Sequence, residues 1–135
     1  MADLDYARGV GIMIRWLYLF QYPDGIPKEE GERWYLGTHC REARQMADHG
    51  MTGYRTWSGL KSPYADPYQT VERLNEWDRV TELVFPDFEA FRKATTDHAV
   101  TYTPPPYGGP GFLAHTIFVS DEPQYDFLRE LPDVR

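Results

Sequence analysis

Several features are scarce in this sequence. It has one cysteine, Cys40, in 135 residues, so no internal disulfide forms, and a reducing setting is expected. No stretch approaches the ~20 apolar residues of a membrane span. Basic residues are the minority, with Lys+Arg 14 against Asp+Glu 21, for a formal charge of −7. An acidic chain without a basic cluster suits neither nucleic acid nor an anionic membrane surface, and neither is expected as a partner. There is no glycine-rich phosphate loop, because the GGPG run at Gly108 to Gly111 carries proline and does not open a helix. The G-x-S-x-G elbow of serine hydrolases is also missing. The first residues, MADLDYARGVG, are acidic and lack an apolar run, so no signal peptide is expected and the expected location is cytoplasmic.

Aromatic residues, by contrast, are abundant. They make up 16% of the chain, including 4 Trp and 10 Tyr. That exceeds what a plain core of this size needs and points to a cavity or interface lined with rings. The length and a hydrophobic share of 41% suit one domain over residues 1–135 with a real core.

The stretch PKEEGERWYLGTHCREARQMADHG, residues 27–50, organises the rest. Pro27 suits a first helical position, and Glu29 and Glu30 complement the positive helix start. Gly50 supplies the stop. At 100° per residue a buried stripe appears: Tyr35, Leu36, His39, Cys40, Ala43, Met46 and Ala47. His39 lies inside it, and an imidazole in an apolar face is the sharpest anomaly in the sequence. Cys40 in the same stripe reads as a small hydrophobe.

β-Branched and aromatic content predicts strands over residues 11–20, 51–60, 77–85 and 112–120. Pro86 opens a second predicted helix over residues 87–99. The polar connection after Leu60 contains a short helix candidate within residues 68–77. Residues 100–111, VTYTPPPYGGPG, can be neither helix nor central strand, and form either a lid or a stiff connector. The order β-α-β-β-α-β is the ferredoxin-like unit, an α+β fold with an antiparallel sheet and two helices on one face. The first strand is apolar on both faces, so a second subunit is expected to cover the open face, sheet on sheet, as a homodimer.

His39 carries the chemistry best. In a dry pocket its pKa falls, leaving a neutral base suited to taking a proton beside a carbonyl or from a phenol. The alternative is a core histidine bonded to a backbone carbonyl. Tyr35, one turn earlier, either packs or orients His39 or donates to a developing oxyanion. Glu82, in an apolar strand, needs a partner. It either holds His39 in one tautomer or pairs with an arginine such as Arg15. Trp16, Tyr18, Trp57 and Phe91 are candidate cavity walls, with His98 near the second helix's end as a further substrate contact. A metal held by His39, His98 and Glu82 lacks any local ligand spacing, and none is expected.

The run WYLGTHCREAR, containing Tyr35, Leu36, His39 and Ala43, and the run TELVF, containing Glu82, Leu83 and Phe85, together resemble the EthD-like family of the dimeric α+β barrel superfamily. The resemblance covers roughly residues 11–120. It implies a homodimer and a cavity between each sheet and its helices. The superfamily includes cofactor-free lyases, cyclases and isomerases, cofactor-independent oxygenases and haem proteins. The expectation is therefore a cofactor-free lyase, cyclase or isomerase with His39 as general base and acid, Tyr35 as helper and Glu82 in support. Its substrate is a small, mostly apolar carbonyl or phenolic compound, aromatic or alicyclic. The alternatives are a cofactor-independent monooxygenase of an aromatic substrate, a hydrophobic-ligand-binding protein without turnover, and, more weakly, a haem protein.

Overall fold

The structure, a computed structural model, describes residues 12–69, 77–96 and 99–133. Strand β1 is Ile14–Gln21. Helix α1 follows as an α-helix over Lys28–Trp34, a π turn over Tyr35–His39, α-helix again over Cys40–Ala43 and a 3₁₀ turn over Arg44–His49. Strands β2, Gly53–Ser58, and β3, Arg79–Phe85, come next. Helix α2 is Phe88–Thr95 and strand β4 is Leu113–Ser120. The short helix expected within residues 68–77 falls largely outside the described residues.

The strands form one sheet in the order β2-β3-β1-β4, with every neighbouring pair antiparallel. The apolar first and third strands thus take the centre, where both of their edges are hydrogen-bonded. Alternation along β1 puts Ile14, Trp16, Tyr18 and Phe20 on one face. Both helices pack there: Tyr35 of α1 meets Phe20, and Phe91 of α2 meets Trp16 and Phe85. Phe20, Tyr35 and Phe85 are fully buried, each worth roughly 1.5–3 kcal/mol in removal from water. This is the ferredoxin-like α+β arrangement that the element order predicts.

Local signals set the element ends. Gly50 closes α1 at φ 112°, a left-handed position that a side chain would strain. Gly31 lets the helix approach β1's exit, since a Cβ there would come within 2.3 Å of the Tyr22 ring. Helix α2 departs from expectation at both ends. Asp87, not Pro86, sets its start, because the Asp87 carboxylate accepts a hydrogen bond from the Ala90 amide at 2.8 Å. It ends at Thr95, because Thr96 is extended.

The stripe on α1 is also narrower than a regular helix implies. Tyr35, Ala43 and Met46 are buried, but Leu36 is 41% exposed and Ala47 is exposed. The π turn is the reason. There the Cys40 amide bonds back to the Tyr35 carbonyl, five residues away, and the phase of the helix slips.

Candidate active site

The cavity lies between the sheet and α1, close to the π turn. It measures about 280 Å³ and is lined by His39, Trp16, Tyr18, Tyr54, Tyr102 and Phe112 among others. Among the described residues no Lys, Arg, Asp or Glu lines it. Four rings surround the His39 imidazole. Trp34 and Tyr102 have centroids 5.0 Å away, Tyr35 stacks at 5.4 Å, and Phe112 meets it edge-on at 5.8 Å. No hydrogen bond holds the imidazole among the described residues, so its nitrogens are free for a ligand. Burial lowers its pKa, with the Glu42 carboxylate pulling weakly the other way. Near neutral pH His39 is therefore a neutral base.

Tyr102 belongs to the loop 100–111, which is strapped to α1. Thr103 donates to Glu42 twice, from its amide at 2.8 Å and from its hydroxyl at 2.6 Å. The Trp34 indole donates to the Thr103 carbonyl at 3.0 Å. Gly111 lets the loop's end press on Trp34, where a Cβ would come within 2.2 Å of the ring. The proline-rich loop is thus a fitted cover over His39.

Hydroxyl protons in the wall run in one direction. The Thr56 hydroxyl donates to the Val80 carbonyl and accepts from the Arg79 guanidinium at 3.0 Å and from Thr81 at 2.9 Å. Thr81 has then committed its proton, so the Tyr35 hydroxyl donates to it, at 2.7 Å. Tyr18, 3.5 Å from the Tyr35 oxygen, is left to donate in turn. The Tyr18 oxygen therefore offers lone pairs to the cavity. Burial pushes the Tyr18 phenol up to about 12 and raises Tyr35 and Tyr54 further, so all three stay protonated. The Tyr54 hydroxyl sits near Tyr18, Tyr35 and Cys40 without hydrogen-bond geometry to any of them. It and the Trp16 indole N–H are buried donors without a partner, on residues that line the cavity. A free base in an aromatic cavity can take a proton from carbon or oxygen.

The residues singled out in the sequence divide clearly. His39, Trp16 and Tyr18 meet at the cavity. Tyr35 stacks on His39, but its hydroxyl bonds to Thr81. Phe91 lies behind the wall, edge-on to Trp16 at 5.0 Å. Two assignments are corrected. Glu82 pairs across the sheet with Leu17 and Arg55, and so projects from the face opposite to Tyr18 and His39. There it is buried between Arg15, at 3.2 Å, and Arg55, at 2.5 Å, so it does not orient the imidazole. Trp57 sits on that same far face, 47% exposed, with the Arg55 guanidinium 5.3 Å above its ring, and does not wall the cavity. His98 lies outside the described residues. Sequence reading missed Tyr54, Tyr102 and Phe112. Tyr54 had a usable signal, since it alternates with Thr56 on one face of β2.

No family model matches the chain, and neither does any curated protein. Among solved structures it is similar to an ethyl tert-butyl ether D (EthD) family protein from Bacillus halodurans, at 19% identity and a TM-score of 0.48, covering 65% of this chain and 77% of that one. It is also similar to a hydroxynitrile lyase from Passiflora edulis, at 9% identity and a TM-score of 0.49, covering 83% of this chain and 97% of that one. Both scores are low, and the chemistry of the site rests on this chain's own residues.

Among the described residues no three His, Cys, Asp or Glu side chains cluster as metal ligands, and no helix is long and apolar enough to cross a membrane.

Proposed function

We propose that this protein is a cofactor-free lyase, cyclase or isomerase in which His39 moves a proton on a small, mostly apolar carbonyl or phenolic compound. One observation carries the reading: a neutral imidazole with no hydrogen-bond partner among the described residues faces a cavity walled by aromatic rings. A core histidine kept for structure would have spent its nitrogens on the protein. The uncharged lining favours a neutral substrate, and the stacked rings favour a flat one.

The same reading includes a homodimer. The open sheet face carries Leu17, Leu19, Leu113, Ile117 and Val119, and Ile117 is 55% exposed. A second copy packed on this face would bury that apolar surface.

Solvent-deuterium exchange tests the activity without a known substrate. A panel of cyclic ketones, aromatic aldehydes and phenolic esters is incubated in D₂O and read by NMR. Expected is enzyme-dependent deuterium uptake beside the carbonyl in at least one compound, abolished by His39→Ala. Compounds that bind without exchange would instead favour a carrier of hydrophobic ligands, and oxygen consumption would favour the monooxygenase reading.

A further inference from the structure

Beyond the cavity, a second concavity runs between α1 and the sheet-edge strand β2. It measures about 490 Å³. One wall is the consecutive run from Met51 to Thr56, and the other is a helical row that includes Leu36, Cys40 and Ala47. Apolar side chains from both walls line it together with Arg41, Arg44 and Arg55. Arg55 is engaged with Glu82. Arg41 and Arg44 have no carboxylate partner among the described residues, although the chain carries a net charge of −7. Among the described residues β2 pairs with β3 alone, which leaves its outer edge without a strand partner. A groove between a helix and an open strand edge fits an extended segment that offers apolar side chains and carboxylates.

The chain itself contains such a segment. After β4, residues 121–133 read DEPQYDFLRELPD, five carboxylates against one arginine. Phe127 is 63% exposed, Leu131 82% and Leu128 100%, and Phe127 stacks only on Tyr125 of the segment itself among the described residues, so these apolar side chains stand largely in solvent. Its start is anchored, with the Asp121 amide on the Met13 carbonyl at 2.9 Å and its carboxylate on Arg15 at 2.8 Å. It leaves from β4, the edge of the sheet opposite to β2.

We propose that the acidic segment 122–133 of one copy docks in the arginine-lined α1/β2 groove of a second copy. The inference rests on the homodimer reading above. In a sheet-on-sheet pair related by a two-fold axis along the strands, the β4 edge of one copy lies over the β2 edge of the other. The segment then leaves its own sheet beside the partner's groove. Leu128 and Phe127 meet the apolar lining, and Glu122 and Glu130 meet Arg41 and Arg44. Tyr54 lines both the groove and the His39 cavity, so the docked segment backs the cavity wall.

The test joins groove and segment chemically. Full-length protein carrying Cys40→Ser, Ala47→Cys and Leu128→Cys is treated with a short bis-maleimide and run on a denaturing gel, with each single-cysteine variant as control. Both new cysteines replace exposed residues. Expected is a covalent dimer several-fold above the controls. Arg41→Glu with Arg44→Glu should reduce it about tenfold, and adding Glu122→Arg with Glu130→Arg should restore it. Sedimentation of the parent separates the two readings. A dimer that yields no cross-link, or one only within a chain, overturns the docking alone. A parent that sediments as a monomer overturns both.

Discussion

The Tyr102 ring lies over the His39 imidazole, centroids 5.0 Å apart and planes 22° from parallel. A residue from the proline-glycine loop thus closes the side of the cavity that the helix leaves open. Tyr102→Ala removes a stacked partner worth about 1 kcal/mol to a flat ligand and opens the cavity to water. Binding of an aromatic probe, followed by tryptophan fluorescence, should weaken about 5-fold while the melting temperature changes little.

Burial depresses the His39 pKa below its ordinary 6.5. The unfolded chain therefore binds the proton more readily than the folded one. Between pH 6.5 and the lower folded value, stability falls as pH falls, and it levels off once both states are protonated. His39→Leu abolishes this contribution. Urea denaturation at neutral and mildly acid pH should show the variant gaining on the parent as pH falls, with the gap widening below neutrality.

The Glu42 carboxylate is held below its usual range by the hydrogen bonds from Thr103. A depressed carboxylate contributes while it is charged and loses its contribution as acid protonates it through the folded pKa. Glu42→Ala takes the acceptor from the Thr103 amide at any pH. Hydrogen exchange at neutral pH should show protection of that amide lost and exchange rising across 100–111, with the sheet amides unchanged.

Glu82 is 2% exposed between two partly exposed arginines. Glu82→Gln leaves Arg55 without its counter-charge while Arg15 keeps Asp121, and because both arginines reach solvent the cost is about 1–3 kcal/mol rather than that of a sealed pair. The measurement is chemical denaturation. Deuterium-exchange turnover per folded molecule should stay at the parent level, because this carboxylate is on the far face of the sheet from His39.

Tyr54→Phe makes the opposite split. It removes a buried hydroxyl without a hydrogen-bond partner among the described residues, so stability should hold or rise slightly. Turnover in the exchange assay should fall about a hundredfold if that hydroxyl supports the developing oxyanion.

The fold was legible because its signals are local and periodic. Alternation in β1, the proline and glycine that bracket α1, and the breakers of 100–111 are each read from neighbours in the chain. His39 was legible for the same reason, as one polar ring in an apolar stripe. Glu82 and Trp57 were misplaced because a strand's period of two separates its faces but does not say which face meets the helices. That depends on register with β1, which no short window contains. Tyr102 and Phe112 were invisible because they reach His39 through loop closure, across more than sixty positions of sequence. The phase slip at Tyr35–His39 was missed because 100° per residue assumes an unbroken α-helix.

That π turn amounts to one surplus residue inside α1. Upstream of it the helix is clocked to place Trp34 under the loop. Downstream it is clocked separately, to seat Ala43 and Met46 in the core. Deleting one residue of Tyr35–His39 would restore a regular helix and leave the two halves nearly in phase, because the rotation lost with the residue is regained as the wide turn tightens. The loop's seat and the core's anchors would both survive. What would change is the outlook of the side chains within the turn, His39 among them, so the surplus residue serves the placement of the imidazole rather than the packing of the helix.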